Sequence, residues 1–332
     1  MSQTKIAVIG AGQWGTTLAA LLSENGHAVT LWAREPELVA AIMERHENTL
    51  FMPGIALPDA LQSTSDLTAA TAGAELLVMA VPSRWMRPVS RELAQHLDHG
   101  IPLVTVTKGL EIETGKRMSE VACEEIPVLP AVAALSGPNL APEIARGLPA
   151  ATVIASRDAA LATRAQELFM APRFRPYTGG DIIGVEICGA VKNVIAIAGG
   201  ICEGLGFGDN AKATLMTRAV AEIGRLVQAM GGRMETVAGL SGMGDLIATC
   251  ASPISRNHRV GLAVGRGEDY RQALGDSGQV AEGVPTSEAV RRLSQQLQVE
   301  MPICEQVYAM LFEGRSAEEA TRVLMTRERR SE

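Results

Sequence analysis

The sequence predicts an α/β fold in which a doubly wound parallel sheet is followed by an all-α domain. Short β-branched runs alternate with Ala/Leu-rich segments of helical period in the first half, and this strand signal disappears near Gly180. A length of 332 residues also exceeds the usual size of one hydrophobic core. We therefore predict a sheet domain over residues 1–180 and a helical domain over residues 181–332.

Most of the predicted strands are short runs rich in valine, isoleucine, leucine and threonine. In chain order they are KIAVIG, AVTLWA, ELLVMAV, PLVTVT, AVAALSG, ATVIAS and RFRPYT. Because the helices of such a fold cover both faces of its sheet, we expect these strands to be buried on both sides.

The helical part is clearest in the segment NAKATLMTRAVAEIGRLVQAMGG. Its apolar positions recur at spacings of three and four, as on one face of a helix. They are Leu215, Ala219, Ile223, Leu226 and Met230. Asp209 and Asn210 are expected to cap the start of this helix, and Gly231 and Gly232 to end it.

Composition excludes several classes of function. A formal charge of -7 argues against a nucleic-acid partner, because binding a phosphate backbone requires a basic surface. The five cysteines include no CxxC pair, which is typical of reduced thiols in a cytoplasmic protein. The histidines lack companions at metal-ligand spacing, so we expect no metal site.

No membrane span or signal peptide is predicted either. The apolar run near the N-terminus is short and ends in a glycine pattern. The longest apolar stretch, around Ile182 to Ile201, is interrupted by Glu186, Lys192 and Asn193. It is therefore more typical of a buried helix than of a membrane span.

The motif GAGQWG has Gly10, Gly12 and Gly15 in the spacing GxGxxG, between the strand KIAVI and a helical segment. In that context the three glycines allow a tight turn, a close backbone approach to a pyrophosphate and a helix N-terminus that favours anions. A glycine-rich turn without a ligand is the alternative. The context favours a Rossmann-like, dinucleotide-binding domain.

The residue after the next strand bears on which dinucleotide is bound. An acid at that position would bind the ribose 2'-hydroxyl of NAD, but this chain has Arg34 there, followed by Glu35. Because arginine suits a 2'-phosphate, we predict that NADP is accepted, with NAD as a second cofactor. The alternative is that Arg34 is only a surface charge.

Ligands of such sheets bind beyond the carboxyl ends of the strands. The residues that follow three of the predicted strands are small or cationic. They are Pro82 and Ser83, Lys108 and Gly109, and Ser136, Gly137 and Pro138. We expect these residues to collect at one edge of the sheet, where Lys108 is more than a solvated surface lysine.

Lys192 lies in the apolar segment EICGAVKNVIAIAGG. Its helical neighbours at three, four and seven residues are Val185, Cys188, Gly189, Ile195, Ala196 and Gly199. A buried ammonium is costly unless it is paired, and removal from water favours the neutral amine that can accept a proton. Two interpretations are open: a catalytic lysine, or one whose stem packs while its head reaches water.

A second polar group follows in LSGMGDLIATCASPISRN. Asp245 lies in a glycine-rich turn, and Ser255, Arg256 and Asn257 follow closely. The planar guanidinium of an arginine matches phosphate oxygens, so SRN is a candidate phosphate clamp.

Taken together, these segments resemble bacterial NAD(P)-dependent glycerol-3-phosphate dehydrogenases. The resemblance runs in order from about residue 5 to 305 and includes GAGQWGT, VPS, TKGLE, SGP, KNVIAIAGG, GLGFGDNAKA, GLSGMGDLIATC, SPISRN and AEGV. It implies reversible reduction of dihydroxyacetone phosphate to sn-glycerol 3-phosphate, which supplies phospholipid synthesis, in a cytoplasmic homodimer.

The resemblance also implies roles for individual residues. It makes Lys192 the catalytic proton acceptor and donor. The implied substrate contacts are Lys108, Gly137, Asn139, Lys192, Asp245, Ser255, Arg256 and Asn257. The implied cofactor contacts, with the motif glycines Gly10, Gly12 and Gly15, are Gln13, Trp14, Arg34, Lys108, Ala141, Arg256, Val280 and Glu282.

One segment departs from the family pattern. Where these dehydrogenases usually have SGPSFA, this chain has SGPNLA, so Asn139 replaces a hydroxyl residue and Leu140 an aromatic one. Asparagine can still donate a hydrogen bond.

Two alternative functions are a related 2- or 3-hydroxyacid dehydrogenase and a non-catalytic dinucleotide sensor.

Overall fold

The computed structural model describes residues 3–97, 99–274 and 281–328. The chain divides into two compact units. The sheet unit contains Met1–Lys108 and Arg117–Val185, and the helical unit contains Gly109–Lys116 and Glu186–Glu332.

The sheet unit is built on one eight-stranded sheet, with spatial order β3-β2-β1-β4-β5-β6-β7-β8. The strands are β1 (Lys5–Ile9), β2 (Ala28–Trp32), β3 (Gln62–Thr64), β4 (Leu76–Met79), β5 (Leu103–Thr105), β6 (Val132–Ser136), β7 (Ala150–Ser156) and β8 (Phe174–Gly179). All seven predicted strands are present. The short polar strand β3 was not predicted, because Gln-Ser-Thr carries no apolar alternation.

The predicted α/β class is confirmed, but the sheet is not wholly parallel. Strands β1 to β6 pair in parallel, whereas β7 runs antiparallel to β6 and β8 runs parallel to β7. The β6–β7 connection contains only the five-residue helix α6 (Ala141–Ala145). A crossover between parallel strands usually carries a full α-helix that packs on a face of the sheet, whereas α6 is shorter than two turns. The chain therefore enters β7 from the end at which it leaves β6.

Helices cover both faces of this sheet. They are α1 (Gln13–Glu24), α2 (Pro36–Arg45), α3 (Leu67–Thr71), α4 (Met86–Ala94), α5 (Met118–Glu125), α6 and α7 (Ala159–Phe169). Alternate residues of β1 belong to separate cores: Ile6 and Val8 to one, Ala7 and Ile9 to the other. This two-sided burial is what a doubly wound sheet requires.

Apart from a 3-10 turn (Ser83–Trp85) and a π-helical turn (Leu240–Gly244), the remaining described elements are α-helices, as predicted. They are α8 (Ile182–Gly204), α9 (Asp209–Ala229), α10 (Met234–Val237), α11 (Asp245–Ala251), α12 (Arg256–Gly265), α13 (Tyr270–Leu274), α14 (Gly283–Gln296), α15 (Pro302–Phe312) and α16 (Ala317–Met325). On α9 the predicted positions Ala219, Ile223 and Leu226 are buried. The predicted cap is wrong by one residue: Gly208 is the N-cap, and Asp209 is already helical.

Helices α8 and α12 approach each other closely at glycines. A Cβ on Gly200 would lie 2.0 Å from the His258 carbonyl oxygen, and one on Gly261 would lie 1.9 Å from the Ile197 carbonyl oxygen. Only glycine permits such contact between backbones. This packing fixes the start of α12 relative to α8.

Helix α8 is long and apolar enough to cross a membrane, with a mean hydropathy of 1.7 over its most apolar window. However, 94% of that window is buried inside the protein, as in the core helix of a soluble protein. Two helical segments, Met234–Ala251 and Arg256–Gly265, are long and apolar enough to cross a membrane only if they are counted as one span, and they are bent by 55° where they meet. Burial of α8 agrees with the prediction of a core helix.

Candidate functional site

The turn between β1 and α1 assigns a separate role to each glycine of the motif. Gly10 has φ +115°, and a Cβ there would lie 2.9 Å from the Ala80 carbonyl. A Cβ on Gly15 would lie 2.0 Å from the Gly10 oxygen, whereas one on Gly12 would meet no atom within 4 Å. Gly10 and Gly15 are thus needed for packing. Gly12 instead keeps open the space into which a pyrophosphate would fit.

The first residues of α1 present main-chain N–H donors at this glycine-rich turn. The first helical hydrogen bond runs from the Thr16 N–H to the Gly12 carbonyl, so the N–H groups of Gln13, Trp14 and Gly15 precede the helical ladder. No side chain caps them at Gly12. The side chain of Trp14 instead packs beside Phe174, with ring centroids 6.4 Å apart. The main-chain N–H of Trp14 thus lies at a helix start, a position that favours anions.

Three further predicted residues follow the carboxyl ends of strands in the sheet. Arg34 follows β2 and is exposed, with its Nη2 2.9 Å from Oε1 of Glu35. Lys108 follows β5, and its Nζ donates a 2.9 Å hydrogen bond to the carbonyl oxygen of Gly137, which follows β6. The structure thus brings Lys108 and Gly137 together at one edge of the sheet, as predicted.

Asn139 occupies a partly buried position next to β7. Its Nδ2 donates to Oγ1 of Thr152 at 3.0 Å. Within the described residues its Oδ1 is buried and has no hydrogen-bond partner. This amide oxygen is an acceptor that a ligand can satisfy. Ala141 begins α6, and Leu140 is the N-cap of that helix without a side-chain cap.

Lys192 lies in the middle of α8 with its amine inside the protein. Its side chain is 8% exposed, and its Nζ lies 3.0 Å from Oδ1 of Asp245, which is 2% exposed. The same Nζ donates a 2.7 Å hydrogen bond to Oγ1 of Thr249. The interpretation in which the head of Lys192 reaches water is therefore wrong. The buried charge is paired, as its cost in free energy requires.

Thr249 is a residue that the sequence did not reveal. Its hydroxyl accepts from Lys192 and donates to Oδ1 of Asp245 at 3.2 Å, which completes a three-membered network. Asp245 and Thr249 are one turn apart on α11, so both face the same neighbour. The sequence does place Thr249 four residues after Asp245, on the same helix face. Threonine is too common in helices for that spacing alone to indicate a site.

The thiol next to Thr249 is chemically inert in this setting. Burial raises the pKa of Cys250 to about 12, and the nearby Lys192 opposes that increase only partly. The thiol therefore stays protonated at neutral pH and does not act as a thiolate nucleophile.

The N-terminus of α12 carries the three residues of the predicted phosphate clamp. Ser255 is the N-cap, and its hydroxyl accepts from the His258 N–H at 3.3 Å. Arg256 is the first helical residue and is exposed. A guanidinium and main-chain donors at a helix start are groups that suit an anion.

Asn257 is buried and participates in a side-chain network. Its Nδ2 donates to Oδ1 of Asn193 at 2.9 Å, and its Oδ1 accepts from the Gly283 N–H at 2.9 Å. One amide hydrogen of Asn257 is left for a ligand. Asn193, the residue after Lys192, was not predicted as part of the site. Glu282 is the N-cap of α14, and Val280 lies outside the described residues.

Two groups of candidate functional residues thus emerge, one in each unit. The sheet unit has a turn suited to a dinucleotide pyrophosphate, with Lys108 and an acceptor on Asn139 near the strand ends. The helical unit has a buried ammonium beside a carboxylate, and α12 of the same unit begins with Arg256. A buried ammonium can stabilise a developing alkoxide and then protonate it.

Comparison with known proteins gives a consistent result. Profiles described as the N-terminus and the C-terminus of NAD-dependent glycerol-3-phosphate dehydrogenase match residues 5–162 and 181–322. The chain is 49% identical to the glycerol-3-phosphate dehydrogenase [NAD(P)+] of Moorella thermoacetica, over 98% of this chain and 97% of that protein. It is also 49% identical to that of Geobacter metallireducens, over 99% and 98%.

Solved structures agree with these relatives. The glycerol-3-phosphate dehydrogenase of Coxiella burnetii has a TM-score of 0.94 at 38% identity, covering 98% of this chain and 99% of that chain. The Saccharomyces cerevisiae enzyme has a TM-score of 0.84 at 29% identity, covering 97% and 99%. A D-mandelate dehydrogenase, with a TM-score of 0.61 at 12% identity, shares the fold alone.

Proposed function

This chain belongs to the NAD-dependent glycerol-3-phosphate dehydrogenase family, and we propose that it interconverts dihydroxyacetone phosphate and sn-glycerol 3-phosphate with NAD(P)(H). The observation that carries the proposal is the buried Lys192 ammonium, held by Asp245 and Thr249. A packed apolar residue at this position would stabilise the fold at least as well as a buried, paired lysine. Reactivity is the reason to keep it there.

In the reducing direction, negative charge develops on the C2 oxygen of the substrate. The Lys192 ammonium stabilises that oxygen and donates a proton to it, which leaves a neutral amine and a hydroxyl group. In the oxidising direction the amine removes the hydroxyl proton. The Asp245 carboxylate lies 3.0 Å from Nζ and pairs with it, and the Thr249 hydroxyl fixes the direction of the amine.

The substrate phosphate is assigned to the start of α12. Arg256 provides a planar charged fork, Ser255 a hydroxyl, and Asn257 its remaining amide hydrogen. Lys108, Gly137 and Asn139 are further proposed substrate contacts. The Lys108–Gly137 hydrogen bond and the unpaired Oδ1 of Asn139 support them, because both put polar atoms at the strand ends.

The residues present fit a nicotinamide dinucleotide. The open space at Gly12 suits a pyrophosphate, and so do the N–H groups of the next three residues, which precede the first hydrogen bond of the helix. When bound, this cofactor supplies the hydride for C2 or accepts it in the reverse direction. Its proposed contacts are Gly10, Gly12, Gln13, Trp14, Gly15, Arg34, Lys108, Ala141, Arg256, Val280 and Glu282.

Replacement of Lys192 tests the proposal. We expect Lys192→Met to lower kcat for reduction of dihydroxyacetone phosphate by at least about 100-fold, because general acid catalysis contributes that much. NADPH affinity, measured by titration of the nicotinamide fluorescence, should stay within about twofold. Lys212→Met, which removes a half-buried lysine of the same unit that is paired with Glu203, is the matched control. Near-normal turnover of the Lys192 variant would refute the assignment.

The two alternative functions predict different results in the same assay. A 2- or 3-hydroxyacid dehydrogenase would oxidise a carboxylate-bearing substrate and show no dependence on a phosphate group. A dinucleotide sensor would bind NADPH without consuming it. The paired Lys192 and the exposed Arg256 at a helix start favour the phosphate-dependent dehydrogenase.

We further propose that the sheet domain of residues 1–180 binds the dinucleotide and that the helical domain of residues 181–332 binds substrate. A homodimer in the cytoplasm, supplying glycerol phosphate for phospholipids, is the proposed setting. The structure describes all five cysteines and forms no disulfide between them, which supports a reducing compartment. Sedimentation of the purified chain tests the dimer.

A further inference from the structure

Two arginines from different elements contact the same exposed ring near the glycine turn. Trp85 ends the 3-10 turn Ser83–Trp85 that follows β4, and its side chain is 40% exposed. The guanidinium carbons of Arg34 and Arg84 each lie 5.6 Å from the centroid of its ring. Both are within the range of a cation–π contact, so the two positive charges are separated by no more than twice that distance.

The sheet topology explains why these residues meet. Strands β2 and β4 pair with opposite sides of β1, so their carboxyl ends flank the turn that follows β1. The Gly10 N–H donates to the Trp32 carbonyl, and the Ala80 N–H donates to the Ile9 carbonyl. In this fold the end of β2 is where the adenosine ribose is recognised.

The charges of the two arginines are not equivalent. Glu35 accepts two hydrogen bonds from Arg34, at 3.2 and 2.9 Å, which already offset its positive charge. No carboxylate within residues 3–97, 99–274 and 281–328 forms an ion pair with Arg84. By contrast, Arg87 and Arg91 on the following helix are both paired with Glu125. The uncompensated charge of the cluster therefore belongs to Arg84.

We propose that Arg84 is the residue that decides the preference for NADP(H) over NAD(H), by binding the 2'-phosphate together with Arg34. A 2'-phosphate needs more positive charge than an arginine neutralised by its neighbour provides. Trp85 holds both guanidinium groups on one ring, which limits the conformational entropy lost on binding. The inference rests on the proposed function only in assuming that the glycine turn binds a dinucleotide.

Two adenosine ligands that differ only in this phosphate test the inference. Affinities of the full chain for adenosine 2',5'-bisphosphate and for 5'-AMP are measured by calorimetry at fixed ionic strength, since exposed charges are screened by salt. We expect Arg84→Ala to reduce the preference for the bisphosphate about tenfold and to leave 5'-AMP affinity within about twofold. Arg84→Glu should abolish the preference.

Arg175→Ala is the matched control. This exposed arginine makes the same kind of contact, 5.3 Å from the ring centroid of Tyr177, but on β8 at the opposite edge of the sheet. The Arg175→Ala substitution removes the same charge and should not alter the ratio of the affinities for the bisphosphate and for 5'-AMP. A similar loss in both arginine variants would mean a general charge effect and would overturn the inference.

An unchanged ratio in Arg84→Ala, or an equal loss for both ligands, would also overturn it. Failure of the proposed function has a different signature. If the wild-type chain does not reduce dihydroxyacetone phosphate with either cofactor while Arg84 still controls bisphosphate affinity, the catalytic proposal fails and this inference stands.

Discussion

A buried glutamate in the helical unit gives the most quantitative prediction. Glu222 on α9 is 2% exposed, and its carboxylate accepts main-chain hydrogen bonds from Ile303 at 2.8 Å and Cys304 at 3.4 Å, at the start of α15. Burial raises the pKa of Glu222 from 4.5 to about 7, although these two N–H groups act in the opposite direction. The perturbation is Glu222→Gln, which keeps the acceptor and removes the titration.

The sign and size of the effect follow from linkage. Between pH 4.5 and about 7 the folded protein holds a proton at Glu222 that the unfolded chain has released, so stability falls as pH rises through this range. A pKa shift of that size lowers the free energy of unfolding by about 3 kcal/mol between pH 4.5 and pH 8. For a unit of this size, that loss lowers the midpoint of thermal unfolding by about 6–12 °C.

The assay compares unfolding midpoints of wild type and Glu222→Gln from pH 4.5 to 8. We expect the two proteins to have similar midpoints near pH 4.5, and the variant to be the more stable by about 3 kcal/mol near pH 8. Glu305→Gln, which replaces an exposed glutamate in the first turn of α15, is the control for the substitution itself. A wild-type-to-variant difference that does not change with pH would refute the reasoning.

Two further predictions concern the site residues. Thr249→Val removes the hydroxyl that accepts from Lys192 at 2.7 Å, and we expect kcat to fall about tenfold with NADPH affinity unchanged. The control Thr217→Val, which removes an exposed hydroxyl bonded only to its own helix, should keep wild-type kcat. Gly12→Val should weaken NADPH binding at least about tenfold with little change in melting temperature, because its side chain would fill the open space for pyrophosphate. Loss of the fold in this variant, or full NADPH affinity, would contradict that role.

The sequence predicted features that depend on local pattern. Alternation of β-branched runs and helical periods gave all seven apolar strands, and the spacing of Gly10, Gly12 and Gly15 gave the dinucleotide turn. The polar strand β3 and the reversed direction of β7 were not predicted. Neither has a local signature, because one depends on pairing with β2 and the other on how the chain packs between β6 and β7.

By itself, the sequence determined that Lys192 lies on an apolar helix face, since periodicity is a property of consecutive residues. Only the tertiary structure decided that its amine is buried between Asp245 and Thr249, more than 50 residues away along the chain. The same holds for Arg84 beside Arg34 and for Glu222 at the start of α15. The partner of a charged side chain is set by which elements pack together, and that depends on the burial of the whole chain.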